Sequence, residues 1–189
     1  MKRKLIALTG KIGSGKSAVS SILRNMGCKT VDCDELAKRI AEQSDVVERV
    51  GELLGSECIS NGRLNRKVIR EIVFKDEKLL ERYQQIFFDG VKSLLLETIA
   101  TFGDCKAVFV EIPVLDAFDF NWDEIWRVES SEKNSVERVA ARDGVSADSV
   151  LATLNRQKAY ECTYVIENNG DFNHLTQAVE RALLKSKLI

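Results

Sequence analysis

Leu5-Ile6-Ala7-Leu8-Thr9-Gly10-Lys11-Ile12-Gly13-Ser14-Gly15-Lys16-Ser17 is the stretch that decides the fold of this chain. Its first four residues are a continuous apolar run, the pattern of a strand buried on both faces in a parallel sheet. The rest fits G-x-x-x-x-G-K-S at every defined position. Gly10, Gly13 and Gly15 let the backbone turn tightly, so that its N–H groups converge on phosphate oxygens. A helix opening near Gly15 adds the positive end of its dipole. In such a phosphate-binding loop (P-loop), Lys16 neutralises the β- and γ-phosphates of a nucleotide and the Ser17 hydroxyl holds Mg²⁺.

Outward from the loop, Val19, Ile22, Leu23 and Met26 fall at i, i+3, i+4 and i+7, an amphipathic helix that ends at Gly27. Thr30-Val31-Asp32 reads as a second strand, which makes a right-handed βαβ unit. Residues 35 to 100 are helical by pattern, with one apolar stripe at Val68, Ile69, Ile72 and Val73 and another at Leu94, Leu95 and Ile99. Ala107–Val110 and Ile125–Val128 read as further strands. Helices follow around 132–142 and 147–157, the first stopped by Gly144 and the second capped by Ser146. Tyr164-Val165-Ile166 is the last strand, and Leu175, Ala178, Val179, Ala182 and Leu183 mark a closing helix. The reading is an α/β fold: a doubly wound sheet of five strands with a helical insert after the second.

Composition narrows the function classes. The 189 residues suit one globular domain, with 28 basic and 29 acidic side chains nearly cancelling. That balance offers no electrostatic footprint for nucleic acid or an anionic membrane. Five cysteines stand at 28, 33, 58, 105 and 162 without a C-x-x-C pair, which suits reduced thiols in the cytoplasm. One histidine, His174, argues against zinc. The apolar residues before Gly10 are too few for a signal peptide, and no run approaches the ~20 needed to span a bilayer. A guanine-binding N-K-x-D is missing, against a GTPase.

Candidate chemistry gathers at strand ends, where open α/β sheets bind ligands. Asp32 and Asp34 stand at the end of the second strand. If the chain stays extended there, both carboxylates point toward the loop edge, and one could accept the proton of an attacking hydroxyl. The competing reading is an Asp that caps the next helix. Glu111 ends the third strand, either beside the Mg²⁺ shell or as an ordinary strand-end acid. Arg138, Arg142 and Arg156 lie on the two helices after Val128. Arg138 and Arg142 share a face and could meet a common anion, or could be solvated and paired with Glu137 and Asp143.

Taken together, these residues resemble the dephospho-CoA kinase family over nearly the whole chain. Leu8–Ser17 is similar to the family's L-T-G-G-I-G-S-G-K-S, and Val31-Asp32-Cys33-Asp34 to [VI]-D-A-D, continued by Leu36-Ala37-Lys38. Gly62-Arg63-Leu64-Asn65-Arg66 with Val73-Phe74 resembles D-G-x-L-x-R…[IV]-F, and Ile112-Pro113-Val114-Leu115 resembles V-P-L-L. Arg138–Arg142 and Arg156-Gln157 match its R-x-x-x-R and R-x-x-Q-like elements, and Val165-Ile166-Glu167-Asn168-Asn169-Gly170 resembles V-I-x-N-x-G.

The resemblance implies a three-layer P-loop kinase fold with a parallel five-stranded sheet. Its core would span 1–34, 101–130 and 160–189, its helical acceptor-binding insert 35–100, and its helical lid 131–159. It implies phosphorylation of the ribose 3′-hydroxyl of dephospho-CoA by Mg-ATP, with Lys16, Asp34 and Arg142 catalytic and Asp34 the base. Lys11, Ile12, Gly13, Ser14, Gly15, Lys16, Ser17, Ala18, Arg138, Arg142 and Asn168 would bind ATP, with Asn168 bordering adenine. Asp34, Arg66, Glu111 and Pro113 would bind the acceptor, and Ser17 the Mg²⁺. The partners implied are ATP and dephospho-CoA, without nucleic acid or membrane, and the expected state is a monomer.

The chain departs from the family at four places. The family's His-Pro gives way to Ile86-Phe87-Phe88-Asp89, and its Ala-Asp before V-I to Cys162-Thr163. Lys11 replaces a glycine, and Glu111 stands where Asp is usual. These departures motivate a second reading, a kinase of a nucleoside or another small alcohol. A third is a non-catalytic ATP-binding module that regulates a partner. The pairing of Asp34 with Lys16 and Ser17 speaks against that one, since a pure binder needs no base.

Overall fold

The computed structural model describes residues 3–73, 75–117 and 120–189; Phe74, which the resemblance draws on, lies outside them. Two compact units emerge, one of Met1–Val31 with Phe102–Ile189, the other of Asp32–Thr101.

In the first unit the apolar run becomes β1 (Lys4–Thr9), whose Ile6, Ala7 and Leu8 are fully buried. The P-loop follows, then α1 (Lys16–Asn25), ending in a turn before Gly27, and β2 (Lys29–Asp32). These helices and strands alternate because apolar residues switch from a continuous run to a 3.6-residue period.

The second unit begins with α2 (Cys33–Ile40) and α3 (Ser44–Leu54). Next comes a hairpin, β3 (Ile59–Ser60) and β4 (Arg63–Leu64), then α4 (Arg66–Val73) and the long α5 (Glu77–Thr101). Two expectations change here. The hairpin interrupts a region read as helical: Asn61 and Gly62 take φ of 51° and 72°, the left-handed pair that a two-residue hairpin turn requires. The chain also does not remain extended to Asp34. Helix α2 starts at Cys33 because Asp32 Oδ1 accepts the N–H of Asp34 at 2.8 Å and of Glu35 at 3.4 Å, satisfying donors that a helix start leaves open. Leu36, Ile40, Val47, Val50, Ile69 and Leu95 form the buried interior of this unit.

The chain returns to the first unit with β5 (Ala107–Glu111), buried at every position, and β6 (Glu124–Glu129). Then come α6 (Glu132–Asp143), α7 (Ala147–Arg156), β7 (Tyr164–Glu167) and α8 (Phe172–Lys185). The parallel sheet has the order β2-β5-β1-β6-β7. Register is tight at its centre, with Leu8 opposite Glu111 on one side and Trp126 on the other. Phe109 and Trp126 meet edge-to-face at 4.9 Å in a core that also holds Leu23, Ile166, Val179 and Leu183. Strand order reverses beside β1, so the loop after β1 opens at the point where such sheets bind ligands.

Candidate active site

The P-loop adopts the geometry its glycines allow. Gly15 is the N-cap of α1 at φ 98°, and a Cβ there would fall 2.0 Å from Asn168 Nδ2. Only glycine accommodates both constraints. Lys16 curls back across the loop, its Nζ donating to the Gly10 carbonyl at 2.8 Å and to that of Lys11 at 3.3 Å. The ammonium thus stands over the nest of backbone N–H groups at the helix start, where phosphate charge would gather.

Ser17 and Ser20 share one face of α1 and donate to the two oxygens of Glu111, at 2.9 Å and 2.7 Å. Glu111 is buried, and its carboxylate is held by two hydroxyls from the adjacent helix. With the Ser17 proton directed at Glu111, the hydroxyl lone pairs are left for a hard cation. Mg²⁺ takes oxygen ligands and is usually completed by water and substrate phosphates, so one hydroxyl backed by one carboxylate fits it. Among the described residues no cluster of three or more His, Cys, Asp or Glu could hold a metal ion. The one sequence signal for Ser20 is a serine set among Val19, Ile22 and Leu23 on the buried stripe.

The other side of the loop faces α6 and α7. The Ile12 side chain packs against Val139, Val150 and Leu154, and its N–H donates to Gln157 Oε1 at 2.8 Å. Arg138 reaches the loop as well, donating to the carbonyls of Gly13 and Asn168 and to Ser130 Oγ. Asn168 is buried and donates Nδ2 to the Ser14 carbonyl at 2.8 Å, so it buttresses the loop from the end of β7. Ser14 Oγ is buried with no hydrogen-bond partner among the described residues. Ala18 lies on α1 against the central core.

Arg142 is placed differently from Arg138. Its guanidinium pairs with Asp143 in solvent, so the two arginines do not converge on one point here. Their shared helical face is real, but Arg138 is drawn inward by loop carbonyls and Arg142 outward by its neighbour's carboxylate. A cavity of about 490 Å³ lies beside the loop, lined by Gly10, Lys11, Pro113, Arg156, Gln157 and Lys158 among others. Lys11, in place of the family glycine, is exposed at its edge.

Asp32, Asp34 and Arg66 belong to the second unit. Asp32 is the N-cap of α2, Asp34 stands in that helix's first turn, and Arg66 opens α4. Tyr83 lies close enough to Arg66 to feel its charge: burial pushes the phenol's pKa up, and Arg66 and Arg70 pull it back only in part.

A glycine-rich loop between the central strand and its helix, an acid at the adjacent strand end and arginine-bearing helices beside the loop define a P-loop kinase. The family model for dephospho-CoA kinase matches residues 4–174. A dephospho-CoA kinase of Leptospira interrogans is 36% identical over 186 residues, covering 93% of this chain and 89% of the relative. The crystal structure of TT1252 from Thermus thermophilus superposes with a TM-score of 0.86 at 31% identity, covering 98% of both chains. Dephospho-CoA kinase from Campylobacter jejuni shares the fold, with a TM-score of 0.69 at 21% identity and 98% of both chains covered. The chain belongs to the dephospho-CoA kinase family.

Proposed function

We propose that this chain transfers the γ-phosphoryl group of ATP to the ribose 3′-hydroxyl of dephospho-CoA, releasing ADP and CoA. The observation that carries this reading is the family match across residues 4–174, on a chain whose Lys16, Ser17 and Glu111 are assembled around the P-loop. Asp34 takes the proton of the 3′-hydroxyl as that oxygen bonds to the γ-phosphorus and the bond to the ADP oxygen breaks. Its support is its position two residues beyond β2, at the positive end of α2, where a carboxylate is favoured.

Lys16 and the loop N–H groups hold the β- and γ-phosphates and offset the charge that spreads over the transferring group. Ser17, with Glu111 behind it, is the proposed Mg²⁺ position; the bound ion neutralises phosphate charge. Arg142 closes over the phosphates from the lid, and turning toward them requires leaving Asp143, an exposed pair of small worth. Lys11, Ile12, Gly13, Ser14, Gly15, Ala18, Arg138 and Asn168 complete the ATP site, and Arg66, Glu111 and Pro113 the acceptor site. The proposed setting is the cytoplasm, with the chain acting as a monomer. Scattered cysteines suit that setting, and burial pushes the pKa of the Cys28 and Cys58 thiols up, away from reactivity.

Purified protein with Mg-ATP and dephospho-CoA should yield CoA, identified by mass and by the phosphorus resonance of a 3′-phosphomonoester. Lys16→Ala should lower kcat/KM by about a hundredfold or more. Faster turnover of a nucleoside such as uridine would replace this reading with the nucleoside-kinase one.

A further inference from the structure

The two halves of the P-loop are held by different parts of the first unit. The rear half is fixed by its own helix, through Ala18 and Val19 N–H groups on the Gly15 carbonyl, and by Asn168 on Ser14. The front half is held by α6, α7 and the residue just beyond α7. Ile12 is gripped twice, its side chain by Val139, Val150 and Leu154 and its N–H by the Gln157 carboxamide. Gly13 lies against α6 so closely that a Cβ would come 2.5 Å from the Ser135 carbonyl oxygen.

We infer that Gln157 is a positioning residue: it holds the Ile12 N–H so that the front of the P-loop stays in register with α6 and α7, fixing where the transferring phosphoryl group meets its acceptor. This inference rests on the phosphotransfer reading above. A glutamine suits the task for an electrostatic reason. The carbonyl of a neutral amide satisfies a backbone donor without adding charge to a cavity whose lining already carries both signs, Asp116, Glu129 and Glu132 beside Lys11, Arg127, Arg156 and Lys158. The division of the loop also predicts which step depends on it. Phosphates shared by ADP and ATP engage the rear half at the α1 N-terminus. The cavity lined by Gly10, Lys11, Pro113 and Gln157 borders the front half, and the transferring group would extend toward it. Loosening the front half therefore affects transfer more than nucleotide binding.

The test uses ¹⁵N-labelled Gln157→Leu alongside wild type. The Ile12 amide resonance should shift and its solvent exchange quicken, with and without ADP. The kcat for dephospho-CoA should fall about tenfold to a hundredfold, the cost of a small misplacement of reacting groups. ADP affinity, measured by calorimetry, should stay unchanged. If the leucine variant does not fold, Gln157→Met keeps the volume without the carbonyl and takes the same readouts. The proposal falls if the Ile12 amide is indifferent to the substitution, or if ADP affinity drops in step with kcat. It falls too if ADP alone shifts the wild-type Ile12 amide as much as the substitution does, since the carboxamide would then be a placeholder that nucleotide displaces. Wild type that leaves dephospho-CoA untouched overturns the functional reading instead, while the amide and ADP measurements still decide the role of Gln157.

Discussion

Asp32 and Asp34 stand two positions apart, and of the two it is Asp32 that caps α2. The Asp32 carboxylate is committed to the N–H groups of Asp34 and Glu35, which start α2. Removing that cap in Asp32→Ala should lower stability by about 1 kcal/mol, read from thermal or denaturant melts. Asp34→Asn should melt close to wild type and lose about a hundredfold or more in kcat. A reversal, with rate lost only at Asp32, would exchange the two assignments. Both residues were recognisable as candidates from the sequence, and capping was one of the alternatives. Which of them caps needed the backbone, because an Asp side chain becomes an N-cap only where the residues after it coil.

At the scale of elements, β1, the P-loop and α1 were legible because each is written in a local period. The contacts of the loop were not. Gly13 sits at φ 75° against Ser135 and Val139, whereas Gly27 sits at φ 82° with nothing within 4 Å of where a Cβ would stand. Gly27→Ala should therefore cost only the left-handed backbone penalty, about 1 kcal/mol. Gly13→Ala adds a clash with backbone and should cost clearly more, about 3 kcal/mol or above, while separating the loop from α6. Denaturant melts of the pair measure the difference, and equal losses would show that α6 yields without cost. The hairpin of β3 and β4 is the opposite case. Its Asn61-Gly62 signal was present in the sequence, but two-residue strands are too short to show an alternating pattern amid charged residues.

At the scale of the whole first unit, the end of the sheet away from the P-loop is tied by one buried carboxylate. Glu124, at the start of β6, accepts from Lys4 on β1, from Ser186 after α8 and from the Trp126 indole. Burial alone would raise its pKa. The bonds from Lys4, Ser186 and Trp126, with the Lys4 charge, outweigh that and leave it below the ordinary value of 4.5. Because the folded value is the lower one, ionised Glu124 stabilises the fold above about pH 4.5, and that contribution fades as pH falls through the folded value. Melting temperature should drop more steeply in acid for wild type than for Glu124→Gln, which lacks the titrating group. Parallel curves would assign the acid limit to other carboxylates. Among the described residues no helix is long and apolar enough to cross a membrane.

By itself, the sequence determined the central strand, the phosphate loop and its helix, since apolar period and glycine spacing act between near neighbours. It also carried the motifs that placed the chain in its family. Only the tertiary structure decided what Gln157, Ser20 and Asn168 do. Their hydrogen-bond partners lie 145, 91 and 154 residues away in the chain. A polar side chain has no preferred partner until the sheet and helices close those long loops, and then burial leaves it little choice but to bond whatever group the fold has brought beside it.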